Sequence, residues 1–169
     1  MTHLLPPAAP AWTLATVCYS SPAARRLTQA LHREQLAIYG AADDPADTPA
    51  DEFTAPRGTF LIATPGNGPA LACGGWRTAG PTTAEIKRMY VAPGARGYGL
   101  GRKILESLEQ DALCHGKTQM VLETGVCNLA ALALYTSCSY VRTPSYIAGR
   151  NPDINRALCK ALRPPADSV

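Results

Sequence analysis

Apolar and polar residues recur along the chain with periods that predict a succession of strands and helices. Trp12–Tyr19 mixes aromatic and β-branched residues and reads as a first strand. Ser20-Ser21-Pro22 offers a capping hydroxyl followed by proline, which predicts a helix from Pro22 to Tyr39. Leu27, Leu31 and Ile38 fall near one face of that helix, and Gly40 stops it. Residues 41–58 hold four prolines or glycines and five carboxylates (Asp43, Asp44, Asp47, Asp51 and Glu52), the composition of a loop with room for a short helical turn. Thr59–Thr64 and Pro69–Trp76 read as two strands joined by the turn Pro65-Gly66-Asn67-Gly68. Gly74-Gly75 allows close packing in the second of them.

A further strand is predicted at Thr83–Val91, then a loop at Pro93–Gly101, then a helix over about Gly99–His115. Ile104, Leu105, Leu108, Ala112 and Leu113 form the apolar stripe of that helix, and Gly116 follows as its stop. Thr118–Glu123 reads as a strand, and Asn128 caps a helix running to about Ser137. Tyr140–Leu162 holds a returning strand, a proline-containing loop and a last element near Arg156–Leu162 that pattern alone leaves as helix or strand. Helices alternating with strands around a hairpin predict an α/β fold (an α+β mixed sheet) in three layers. The organisation expected is a loose Pro- and Ala-rich lead-in over residues 1–11 and a single domain over 12–169.

Composition narrows the function classes. The chain has 169 residues, 46% of them apolar, enough for one domain with a real core. A net charge of +3, no lysine-rich run and 7% aromatics give no footing for nucleic-acid binding. No apolar run approaches a membrane span, and Met1–Pro7 has no basic segment of the kind that opens a signal peptide, so a cytoplasmic location is expected. Six cysteines occur without a C-x-x-C pair, and His3, His32 and His115 do not join them in metal-ligand spacing. Most of these cysteines are expected to be reduced, buried small hydrophobes, and no metal site is expected.

The segment Arg96-Gly97-Tyr98-Gly99-Leu100-Gly101-Arg102 carries the chemistry. It lies between a predicted strand and a predicted helix. Glycines at alternate positions let the backbone bend without Cβ interference, and a helix start presents unpaired N–H groups and the positive end of its dipole. With arginine on either side, such a loop suits a phosphate or pyrophosphate. It is not a Walker A loop. Its G-x-G-x-G spacing differs from the dinucleotide G-x-G-x-x-G, although Glu123 stands about where a ribose-binding acid is expected, so a dinucleotide site remains open.

Two blocks then identify a family. Glu85-Ile86-Lys87-Arg88-Met89-Tyr90-Val91, Pro93 and the loop from Arg96 to Gly101 resemble the strand and R-x-x-G-x-G/A pyrophosphate loop of the GNAT superfamily of N-acetyltransferases. Asn128, Ala131, Leu134 and Tyr135 resemble its N-x-x-A-x-x-L-Y block. The blocks stand in the right order, one helix and one strand apart, and the resemblance covers about residues 12–146. Ser139-Tyr140 departs from the Gly-aromatic pair that usually closes the second block.

The resemblance implies a mostly antiparallel sheet, splayed near its middle and flanked by helices, with acetyl-CoA wedged between the parallel strands. It implies pyrophosphate bonds from the amides of Tyr98, Gly99, Leu100, Gly101 and Arg102, assisted by Arg96 and Gly97. Pantetheine pairing is expected along Met89, Tyr90 and Val91, with Asn128, Ala131 and Tyr135 on the other wall. The activity implied is acetyl transfer from acetyl-CoA, with no metal, to a primary amine of a small molecule. Transfer to a protein amine, a longer acyl-CoA or aminoacyl-tRNA donor, and a non-catalytic acyl-CoA sensor are the alternatives. Homodimers are common in the superfamily.

Direct transfer needs a neutral amine, a polarised thioester carbonyl and a proton for the departing thiolate. Tyr135 is the candidate acid, against a plain packing role. Glu85 is the candidate base, against a surface ion pair with Lys87 or Arg88, and Glu123 competes for the same task. The backbone N–H of Met89 is the family-implied oxyanion donor. Strand alternation puts Glu85, Lys87, Met89 and Val91 on one face unless a bulge intervenes. The acidic segment Asp43–Glu52 could attract a cationic acceptor or be a solvated loop. Trp76, Tyr39 and Tyr146 could line an acceptor pocket or be ordinary packing.

Overall fold

The computed structural model describes residues 11–163. It contains strands β1 (Trp12–Thr16), β2 (Gly58–Pro65), β3 (Ala72–Thr78), β4 (Thr83–Val91), β5 (Gln119–Gly125), β6 (Val141–Arg142) and β7 (Asn155–Ala161). Its helices are α1 (Pro22–Tyr39), α2 (Leu100–Cys114) and α3 (Leu129–Ser137). All strands join one sheet in the order β1-β2-β3-β4-β5-β7-β6. Every neighbouring pair is antiparallel except β4 and β5. A sheet with a single parallel junction is not a doubly wound nucleotide-binding sheet, so the dinucleotide alternative is set aside on topology. The expected lead-in lies outside the described residues except for Ala11.

Local chemistry explains the helix ends. Ser21 Oγ accepts from the Ala24 amide at 3.4 Å, Pro22 opens α1, and Gly40 ends it at φ 72° with its N–H on Leu36 O. β1 is shorter than predicted and ends at Thr16. The chain then turns, and Ser21 N–H bonds Cys18 O. Two short 3-10 turns, Pro45–Asp47 and Ala50–Phe53, occupy the acidic loop. The ambiguous last element is a strand, β7, which pairs with β5 over its whole length.

The sheet separates two apolar layers. Ala84, Ile86, Met120 and Leu122 face the α2 side with Ile104, Leu105 and Leu108, whereas Phe60, Ile62 and Cys73 face α1 with Leu27 and Phe53. Gly74 is required where the layers crowd, because a Cβ there would lie 2.3 Å from Met89 Sδ. The expectation for Ile38 fails: it is 52% exposed, since only the first half of α1 rests on the sheet. Trp76 is fully buried, donating from Nε1 to Asp111 at 2.7 Å, so it is core and not a pocket wall. All six cysteines are free, but only Cys73 and Cys138 are buried. Cys18, Cys114 and Cys127 are exposed, which corrects the expectation that most are buried. No helix is long and apolar enough to cross a membrane among the described residues.

Candidate active site

β4 and β5 pair only at Thr83–Gln119, Ala84–Met120 and Glu85–Val121. Beyond that point they separate, and β4 from Ile86 to Val91 has no strand on its β5-facing edge. A cleft of about 760 Å³ fills the wedge. Met89, Tyr90, Val91, Arg96, Gly97, Gly99, Leu100, Gly101, Arg102, Asn128, Ala131 and Tyr135 all border it. Tyr98 does not. Its side chain is half exposed and its ring lies 6.5 Å from that of Trp12.

The glycine loop leaves β4 through a 3-10 turn at Pro93–Ala95 and opens α2. Gly97 and Gly99 sit at φ 88° and 76°, with open space where a Cβ would be. The amides of residues 97–102 have no hydrogen-bond acceptor among the described residues. The first backbone bond at this helix end is Lys103 N–H to Gly99 O at 3.1 Å. Unpaired amides at a positive helix terminus form an anion cradle, and a pyrophosphate fits it. The flanking arginine side chains are otherwise engaged. Arg96 grips Glu34 of α1 at 2.8 and 3.0 Å and donates from Nε to Val91 O, while Arg102 donates to Ser137 Oγ at 2.8 Å.

The opposite wall is α3. Asn128 Oδ1 accepts from the Ala131 amide at 3.1 Å and fixes the helix start. One face then carries Tyr135 inward, buried and edge-on to Tyr140 with ring centroids 5.6 Å apart. Burial, with the Cys138 thiol adding to it, pushes the Tyr135 phenol above its ordinary value, so it keeps its proton at neutral pH. Ser139, standing where the family pattern has glycine, adopts φ +70°.

A bulge in β4 builds the remaining side. Cys73 pairs with Tyr90 and Gly75 with Lys87, so β4 spends one extra residue there, and Arg88 takes φ +60°. Ala84 and Ile86 face α2, and so do Met89 and Val91, while Tyr90 faces α1. Glu85 and Lys87 therefore do not share a face with Met89 and Val91, which corrects the simple alternation. The bulge divides β4 into a cofactor-facing stretch and a stretch of charged side chains on the α1 side.

Those charges form a network. Glu85 is buried, accepting from Arg77 Nε at 2.8 Å and from the Tyr146 hydroxyl at 2.9 Å. Its carboxylate is not part of the cleft lining, whereas Glu123 is. Glu123 accepts from Ser145 Oγ at 2.6 Å and lies 3.3 Å from Arg150 Nε. Arg150 also reaches Asp43 at 3.1 Å. Burial opposes ionisation of Asp43, but the Arg150 guanidinium outweighs it and holds the carboxyl below the usual range. Glu52 pairs with Arg77 at 2.5 Å, and Asp51 pairs with Arg57. Three of the loop's five carboxylates are thus paired within the protein, while Asp44 and Asp47 make no salt bridge among the described residues. Tyr39 lines the cleft, whereas Tyr146 donates to Glu85 and is not among the lining residues.

Arg150, Ser145 and Glu34 had no local signal in the sequence. Each enters through a contact with a distant segment. No group of three or more His, Cys, Asp or Glu residues that could hold a metal ion occurs among the described residues.

Comparison with known proteins agrees with this geometry. The family model for the acetyltransferase (GNAT) family matches residues 24–140. An uncharacterized N-acetyltransferase of Schizosaccharomyces pombe is 33% identical over 113 residues, covering 66% of this chain and 69% of that protein. A structure from Klebsiella pneumoniae, assigned as an acyl-CoA N-acyltransferase, superposes with a TM-score of 0.76 at 27% identity, covering 90% of this chain and 98% of that one. A Salmonella typhimurium protein assigned as an acetyltransferase and solved with its cofactor acetyl-CoA shares the fold, with a TM-score of 0.64 at 20% identity over 92% of this chain and 96% of that one. The chain belongs to the GNAT acetyltransferase family.

Proposed function

We propose that the protein is an acetyl-CoA-dependent N-acetyltransferase acting on a primary amine of a small molecule by direct attack. The observation that carries this reading is the row of unpaired amides at residues 97–102, opening onto the wedge between β4 and β5. Acetyl-CoA, when bound, supplies the activated thioester. Gly97–Arg102 would hold its pyrophosphate, and the free edge of β4 from Met89 to Val91 would pair with its pantetheine amides as a strand would. The Met89 N–H would take the developing negative charge on the carbonyl oxygen.

Tyr135 holds the proton for the departing thiolate, and burial of its phenol keeps that proton in place until charge develops on the sulfur. Glu123 takes the amine proton, since it borders the cleft and one of its oxygens has no hydrogen bond. Glu85, tied to Arg77 and Tyr146, orients the network behind it. This order of the two carboxylates reverses the one the family pattern favours. The cleft, about 760 Å³, runs from the glycine loop to Glu123 and Arg150 and leaves room for a small acceptor beside the cofactor's acyl end.

The test is release of free thiol from acetyl-CoA over a panel of small amines, peptides and longer acyl-CoA donors. Acetylation of small amines, with mass spectrometry locating the acetyl group on nitrogen, supports the reading. Turnover with peptides alone, or with a different donor alone, would replace it. Tight acetyl-CoA binding without turnover on any amine would favour a sensor.

A further inference from the structure

Four of the six buried side-chain nitrogen and oxygen atoms that lack a hydrogen-bond partner among the described residues belong to residues lining this one cleft: Tyr39 Oη, Arg88 Nε, Glu123 Oε2 and Arg150 Nε. Tyr39 Oη points to the backbone of Cys127 and Asn128. The other three carry charge. Glu123 Oε2 and Arg150 Nε lie 3.3 Å apart, an ion contact without hydrogen-bond geometry. Lys87 joins them. It is a lining residue of the cleft, makes no side-chain hydrogen bond to another described residue, and has its ammonium 4.0 Å from the Glu85 carboxylate. Buried polar atoms are rarely left unpaired, and each orphan invites a ligand group.

The unmet groups are of both signs. On one side stand cationic donors, Lys87 Nζ and the Arg150 guanidinium, with Arg88 behind them. Arg88 spends its terminal nitrogens on Asp43 O and Thr48 Oγ1 and has no carboxylate partner within salt-bridge distance. On the other side stands Glu123, an acceptor. The carboxylates facing the cations have partners of their own. Asp43 is held by Arg150, Glu85 by Arg77 and Tyr146, and Glu52 by Arg77. Lys87 makes no side-chain hydrogen bond among the described residues and reaches only Glu85, at 4.0 Å. A ligand carrying only an amine would satisfy Glu123 and leave Lys87 without a side-chain hydrogen bond and Arg150 with its Nε unpaired, although Arg150 also holds Asp43. A ligand carrying an amine and a carboxylate satisfies both.

Resting on the N-acetyltransferase reading above, we propose that the acceptor is a small amino carboxylate, whose amine meets Glu123 and whose carboxylate is anchored by Lys87 and Arg150. In the transfer, the neutral amine nitrogen bonds to the acetyl carbon, the carbon–sulfur bond breaks, the amine proton passes to Glu123, and the thiolate takes the Tyr135 proton and leaves as CoA thiol. The proton on Glu123 goes to solvent, and solvent reprotonates Tyr135. The carboxylate takes no part in bond making. It sets which amine is presented.

The test compares free L-amino acids with their α-carboxamides, in the wild-type protein and in Lys87→Met and Lys87→Arg. The readout is the ratio of kcat/KM for acid over amide, compared between proteins, so the differing basicity of the two amines cancels. A lost charge-assisted hydrogen bond predicts that Lys87→Met lowers this ratio about ten- to a hundredfold, while Lys87→Arg keeps most of it. Arg150→Met supplies an independent variant should Lys87→Met fold poorly, and it is expected to lower the ratio in the same direction. An unchanged ratio across the variants overturns the inference. Turnover on carboxylate-free amines such as polyamines, with none on any amino acid, overturns it while leaving N-acetyl transfer standing. Failure to acetylate any amine overturns both.

Discussion

The two halves of the cleft are built by different means. The half proposed for the cofactor is made of backbone: amides at residues 97–102 on one side and the free edge of β4 on the other. Its parts lie close together in the chain. The acceptor half as proposed draws on side chains from separate segments: Asp43 after α1, Lys87 on β4, Glu123 on β5 and Arg150 before β7, with Glu85 and Tyr146 outside the lining. A backbone cradle serves any chain with that turn, so it suits a cofactor common to many enzymes. A side-chain ring can be rewired one residue at a time, so it is where one acceptor is distinguished from another. The bulge at Arg88 separates the two on a single strand.

This contrast is most sharply tested by Tyr135→Phe, which should lower kcat about 10²- to 10⁴-fold, the range for loss of a positioned acid. The fall should show in single-turnover acetyl transfer at saturating acetyl-CoA. Next is the pair Glu123→Gln and Glu85→Gln. The first should cost about a hundredfold or more in kcat. The second should cost less and act by loosening Tyr146. The reverse order would return the base to Glu85. Gly99→Asp sets a carboxylate beside the anion cradle and should raise the acetyl-CoA Kd about tenfold or more, measured by calorimetry. Such a change on the backbone side should move cofactor binding far more than acceptor discrimination.

A pH profile sharpens the acceptor side. Burial lowers the Lys87 ammonium below its ordinary value of 10.5, with the nearby Glu85 charge opposing it. The anchor works while Lys87 is protonated. The acid-over-amide preference should therefore be full at low pH and fade as pH rises through that lowered value. Lys87→Arg should hold the preference to higher pH. The smallest effect concerns Ser139, held at φ +70° where glycine carries no Cβ penalty. Ser139→Gly should stabilise the fold by about 1 kcal/mol, read from denaturant midpoints, with little change in kcat.

The legibility of the sequence follows the same division. Ser21 and Pro22, Asn128 and Gly40 announced the ends of α1 and α3 because caps are local chemistry. Thr83–Val91 was legible as a strand to the residue. The glycine loop and the Asn128–Tyr135 block were legible through their resemblance to a family pattern, and the structure brings residues of both to the wedge between β4 and β5. The bulge was not legible. It arises from how Gly75 and Cys73 pair with Lys87 and Tyr90, and it reversed the expected facing of Met89. Ile38 carries the right period for a core face, but α1 runs past the sheet before reaching it. Arg150 and Glu34 were silent, because their roles depend on partners far away in sequence. Trp76 followed the ordinary rule that large aromatics fill cores.

The most direct test is calorimetric titration of acetyl-CoA into the wild-type protein and into Gly99→Asp, with NADH and ATP as controls. The account predicts selective acetyl-CoA binding that is weakened at least about tenfold in the variant. No binding by the wild type, or equal binding by both proteins, would contradict the assignment of the amide cradle on which the proposed chemistry rests.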